Sequence, residues 1–120
     1  MPHVTLEYTN NIDSFDKHEI LRGLNRVLAA TGHFDEIDIK SRAVLCDHFV
    51  IGTSADPRAF IHVTLSILSG RSPEVKRSLT TALVEELHKA FSNQSRQHLQ
   101  ITAEVLDIER ESYAKTVIGS

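Results

Sequence analysis

Three sets of residues in this chain have the types and spacing to act on a small acid. The first is Pro2, which follows Met1 directly. In bacteria the initiator methionine is removed when the next residue is small, and proline qualifies. Removal leaves a secondary amine at the head of the chain. An α-amino group titrates near about 8, and burial or nearby cations lower that value. The neutral amine can then accept a proton. The plainer reading is an ordinary N-terminus without a role, and Pro2 alone does not decide between them. The second is Arg71, in Ser69-Gly70-Arg71-Ser72-Pro73. This run marks the junction of a strand and a helix, where free backbone N–H groups attract anions. An arginine there adds a two-pronged fork for a carboxylate; the alternative is a surface arginine paired with Glu74. The third is Lys40 and Arg42. Two apart on a strand, they point the same way and form either a second cationic patch or a solvated strand edge.

Other reactive side chains give weaker signals. None of the seven histidines has another three or four residues away, so the paired-histidine zinc motif of a helix is missing. His62, in an alternating strand, reads as a packed or hydrogen-bonded residue. Cys46 lies in the apolar run Ala43-Val44-Leu45-Cys46 and reads as core rather than nucleophile. Ser66 to Ser72 holds a single glycine, too few for a phosphate-binding loop.

The elements that must position these residues form a doubled plan. His3-Val4-Thr5-Leu6 recurs as His62-Val63-Thr64-Leu65, 59 residues later. In the first half Val4, Leu6 and Tyr8 alternate with His3, Thr5 and Glu7, the period of a strand with one buried face. Asp13 or Ser14 is expected to cap the following helix. Ile20, Leu21, Leu24, Val27 and Leu28 recur at helical spacing, and Gly32 stands where a C-terminal glycine belongs. A second strand is expected from about residue 42 to 51. In the second half Ile61, Val63, Leu65 and Ile67 alternate. Ser72 suits an N-cap, Pro73 the first helical position and Glu74 the positive end of the helix dipole. Val75, Leu79, Leu83, Leu87 and Phe91 make the helical stripe, and Leu99, Ile101, Ala103 and Val105 a last strand.

Each half therefore reads strand–helix–strand, which favours parallel pairing with a right-handed crossover. The expected fold is α/β: two tandem βαβ units sharing one four-stranded sheet, with two helices on one face. One domain covers 1–120, with units at 2–51 and 60–107, a linker at 52–58, and a tail at 108–120 that forms a short strand or an arm toward a neighbouring subunit.

Composition bounds the setting. The chain has 120 residues, 41% hydrophobic and 24% charged, long enough for a core without metal or disulfide. A net charge of -3 speaks against nucleic acid as a partner. One cysteine suits a reducing compartment. The opening lacks the basic, apolar pattern of a secretory signal, and no apolar run approaches the roughly 20 residues of a membrane span. A cytoplasmic location is expected.

In order, Pro2-His3, Ala29-Ala30-Thr31-Gly32, Phe34, Ser41-Arg42, Ala59-Phe60, His62 and Gly70-Arg71-Ser72 resemble the tautomerase superfamily. The segment from Phe60 to Phe91 is similar to a 4-oxalocrotonate tautomerase unit. At its doubled length the chain looks more specifically like the 5-carboxymethyl-2-hydroxymuconate isomerase family. The likeness covers almost the whole chain and thins after about Asp107. It implies a homotrimer acting on a small-molecule carboxylate without a cofactor, because the substrate is its own electron sink. It implies ketonisation of a dienol in the breakdown of homoprotocatechuate. Pro2 would be the general base, with Arg71, Lys40 and Arg42 as substrate-binding cations. One departure stands out: the family has Arg-Ser-Arg where this chain has Lys40-Ser41-Arg42. Lysine keeps the charge but loses the rigid fork.

The repeat divides the labour. With His3 aligned to His62, Pro2 falls opposite Ile61 and Arg71 opposite Ile12. One half supplies the amine and the other the anion clamp, from one subunit or from two. The alternatives are another Pro2-dependent reaction, such as decarboxylation, hydration or dehalogenation, and a non-enzymatic trimeric binding domain.

Overall fold

The computed structural model describes residues 1–93 and 97–119. Its order is β1 (His3–Thr9), α1 (Lys17–Ala30), a 3-10 turn (Glu36–Asp38), β2 (Lys40–Cys46), β3 (Arg58–Leu68), α2 (Pro73–Phe91), β4 (His98–Ile108) and a second 3-10 turn (Arg110–Ser112). The four strands form one sheet in the order β2-β1-β3-β4. Within each half the strands are parallel, and the halves meet through an antiparallel β1–β3 pair.

Both helices cover the same face. Val4, Leu6 and Tyr8 of β1 and Ile61, Val63, Leu65 and Ile67 of β3 are buried there against Leu24, Leu28, Leu79, Leu83 and Leu87. The two central strands thus put their alternating apolar residues into one core with the helix stripes. The other face carries His3, Thr5, Glu7, His62, Thr64, Thr102 and Glu104.

Local chemistry fixes the helix ends. The Ser72 hydroxyl accepts from the Val75 N–H at 3.2 Å, and Pro73 opens α2. Gly32 has φ 79°, and its N–H reaches the Ala29 carbonyl just past the end of α1.

Three boundaries differ from the sequence expectation. The cap of α1 is Asp16, whose Oδ1 accepts from Glu19 N–H at 3.1 Å, rather than Asp13 or Ser14. Ile12 and Phe15 pack against the core, which keeps the approach to the helix extended. The second strand covers Lys40–Cys46, not 42–51. Its partner β1 ends at Thr9, the Asn10 N–H closes on the Cys46 carbonyl at 3.2 Å, and beyond that there is nothing to pair with. Val50, included in that expected strand, is 83% exposed. The linker ends one residue early, since Arg58 already belongs to β3.

Candidate active site

The antiparallel register of β1 and β3 builds the site. It sets His3 opposite Ser66, so Pro2, just before β1, lies beside the end of β3 and the turn carrying Gly70 and Arg71. The Lys40 N–H donates to the Pro2 carbonyl at 3.1 Å, which fixes Pro2 at the first rung of the β1–β2 ladder. The α1 crossover returns to the same end of the sheet and delivers His33 and Phe34. β4, paired with β3 up to Leu68 and Ile108, releases the tail there too.

These segments enclose a cavity of about 250 Å³, lined by Met1, Pro2, Phe34, Arg71 and Arg110 among others. Pro2 is buried. Arg71 is held on two sides: Nη2 donates to the His33 carbonyl at 3.0 Å, and its guanidinium lies 4.8 Å from the Phe34 ring centroid. Such a cation–ring contact contributes about 0.5–1 kcal/mol at an exposed site and, more usefully, limits where the fork points.

The amine end of the chain is electrostatically primed. Met1 N donates to the Asp38 carbonyl at 3.3 Å, and the Lys40 ammonium donates to the same oxygen. Burial, then the hydrogen bond and charge of Lys40, lower the terminal amine from 8.0 to about 6, with Asp38 opposing. The Asp38 carboxylate is held by Lys115, Nζ to Oδ1 at 2.7 Å, which keeps it below the usual carboxylate range.

Of the sequence candidates, Pro2 and Arg71 of one chain come together in this cavity. Lys40 and Arg42 do not line it. Lys40 lines an adjoining hollow with His3, Asp38, Tyr113 and Lys115. Arg42 Nη2 lies 3.3 Å from His3 Nδ1. Since arginine only donates, Nδ1 accepts, and His3 Nε2–H donates to the Tyr113 hydroxyl at 3.0 Å. Burial first, then Lys40, lowers the His3 pKa. His62 is hydrogen-bonded, with Nδ1 2.6 Å from Thr102 Oγ1 and Nε2 2.6 Å from Glu104 Oε2. Cys46 is half-buried at the sheet edge rather than in the core, and burial, then Glu7 and Asp47, push its thiol up. That suppresses the thiolate a nucleophile needs.

Arg110 escapes sequence reasoning, and the sequence leaves open whether His3, His62, Tyr113 or Lys115 reaches the site. The tail has no hydrophobic period, so nothing in the sequence shows that it folds back over the N-terminus. No set of three or more metal-binding side chains gathers among the described residues, and no helix among them is long and apolar enough to cross a membrane.

A family model for 5-carboxymethyl-2-hydroxymuconate isomerase matches residues 2–118. The chain belongs to that family. It is accordingly an isomerase. A 5-carboxymethyl-2-hydroxymuconate Delta-isomerase of Escherichia coli is 32% identical over 93 residues, covering 77% of this chain and 74% of that protein. The crystal structure of a 5-carboxymethyl-2-hydroxymuconate isomerase from Deinococcus radiodurans R1 superposes with a TM-score of 0.87 at 34% identity, over 96% of this chain and 88% of that one. A fused 4-OT, solved as a wild-type symmetric trimer, has a TM-score of 0.72 at 15% identity, over 95% and 91% of the two chains. The last likeness places the chain in the tautomerase fold.

Proposed function

We propose that this isomerase ketonises 5-carboxymethyl-2-hydroxymuconate, with the amine of Pro2, freed by loss of Met1, as general base. The reading is carried by one observation: Pro2 and Arg71 line a single cavity. Pro2 nitrogen takes the proton of the 2-hydroxyl, whose oxygen becomes a carbonyl. The diene electrons shift along the chain, and the proton returns from nitrogen to C5. One O–H is lost, one C–H is gained, and no electron leaves the substrate, so no cofactor is called for. Arg71 holds a carboxylate and draws electron density toward it.

With Met1 in place, burial and Lys40 lower the Met1 amine to about 6, and a like neighbourhood around a freed Pro2 amine would favour a base over an acid. It speaks against the hydration and dehalogenation chemistry that an ammonium-form Pro2 would serve. Lys40 contributes through charge, by keeping the amine neutral, rather than as a two-pronged clamp.

The active form is a homotrimer. Support comes from the trimeric 4-OT relative in fold and from apolar side chains left uncovered in one chain, Ile37, Val44, Leu106, Val117 and Ile118.

The test is ketonisation followed by ultraviolet absorbance, with processed protein, a Met1-retaining form and Arg71→Ala. Losing one charge-assisted clamp removes about 3–5 kcal/mol of binding, so Arg71→Ala is expected to lower kcat/KM by about 100- to 1000-fold or more. The Met1-retaining form is expected to be inactive. Full activity with Met1 in place would overturn the role of Pro2.

A further inference from the structure

We propose that Arg110, from the C-terminal arm, is a second substrate-binding arginine of this cavity, holding a carboxylate apart from the one at Arg71. It thereby makes the site selective for polycarboxylates. This rests on the isomerase reading above and names a specificity residue for it.

Four observations carry it. Arg110 lines the same cavity as Pro2 and Arg71. Its Nε donates to the Ser69 carbonyl at 2.6 Å, two residues before Arg71. Its guanidinium lies over Gly70, where an added β-carbon would come within 3.6 Å of Nη2. The side chain is thus held by one edge, and among the described residues its two Nη groups have no hydrogen-bond or ion-pair partner. Arg71 is secured in the same manner, by one carbonyl and one ring, and among the described residues its Nε and Nη1 have no hydrogen-bond or ion-pair partner.

Two guanidinium groups, each fastened by one donor, border one small hollow. Of the two acids that also line the cavity, Asp38 is paired with Lys115, and Asp35 forms no ion pair with either arginine among the described residues. Such a pair of arginines matches an anion with separated carboxylates, since each planar fork accepts one. Lys40, engaged with the Asp38 carbonyl, offers no such fork. Gly70 has φ 122°, a conformation that side-chain-bearing residues rarely adopt. It keeps the turn from carrying a side chain between the two arginines.

The experiment compares kcat/KM of wild type, Arg110→Ala and Arg110→Lys on 5-carboxymethyl-2-hydroxymuconate and on 2-hydroxypenta-2,4-dienoate, which has one carboxylate. Arg110→Ala is expected to lose about 10- to 100-fold on the tricarboxylate, mostly in KM, and less than about 3-fold on the monocarboxylate. Arg110→Lys should recover part of the loss. Equal losses on both substrates, or no loss on either, would overturn the assignment. Calorimetric binding of propane-1,2,3-tricarboxylate and of propionate gives a readout independent of turnover. If wild type turns over neither dienol, the proposed reaction fails, yet selective loss of tricarboxylate binding in Arg110→Ala would still support the clamp. Unchanged binding would sink it.

Discussion

At the scale of residues, the proposed chemistry depends on one amine and the charges around it. A base works in its neutral form, so kcat/KM should rise with pH through the amine's pKa and then level off. The neighbourhood lowers the terminal amine from 8.0 to about 6, by burial first and by Lys40 second. That amine is Met1's; because Lys40 N–H also holds the Pro2 carbonyl, the same neighbours are expected to act on a Pro2 amine once Met1 is gone. Lys40→Gln removes the second cause and leaves the first, so the acid limb of the profile is expected to move to higher pH while the plateau falls less. A limb that stays put would remove Lys40 from the account of Pro2. His3 offers a separate check. With Nδ1 accepting from Arg42, its proton sits on Nε2, toward Tyr113. Tyr113→Phe removes that acceptor and should change the imidazole nitrogen shifts of His3 in NMR spectra while leaving the fold intact.

At the scale of elements, most of the scaffold was legible because its signals are local. Val4, Leu6 and Tyr8, and then Ile61 to Ile67, alternate in sequence as they do against the core. Ser72-Pro73-Glu74 opens α2 by hydrogen bonding and dihedral preference alone. Ser72→Ala is expected to cost about 1 kcal/mol, and Leu83→Ala, at full burial, about 2–5 kcal/mol, each measured by urea denaturation. What sequence missed is set by partners. β2 stops at Cys46 because β1 ends, although Phe49, Val50 and Ile51 are as strand-like as what precedes them. The cap fell on Asp16 because Phe15 is drawn to Tyr8 and Phe91, with ring centroids 5.3 and 5.2 Å away. Pro2 and Arg71 were legible as types, but their meeting needed the antiparallel β1–β3 register. The split of Lys40 and Arg42 from that cavity also follows from pairing and not from spacing.

At the scale of the whole molecule, the doubled unit explains why one sheet end holds every candidate. β1 and β2 begin there while β3 and β4 end there, so the N-terminus, the turn before α2 and the tail converge. The tail touches its own chain through Tyr113 to His3 and Lys115 to Asp38. Such solvent-screened contacts add little to stability. Deleting residues 113–120 should therefore leave the fold of the single chain intact, as read by far-ultraviolet circular dichroism. Val117 and Ile118, 72% and 95% exposed, are expected to be covered between subunits, so the same deletion should weaken a trimer seen by sedimentation velocity. A trimer of unchanged strength would place the interface on the sheet face of Val44 and Leu106 alone.

The most direct measurement of the central claim is an NMR titration of protein carrying ¹⁵N-proline with Met1 removed, set beside the pH profile of kcat/KM. Expected is a Pro2 amine that titrates well below the ordinary α-amine value of about 8, at the pH of the kinetic limb. An amine that titrates near 8 while the enzyme is fully active far below that pH would contradict Pro2 as the base.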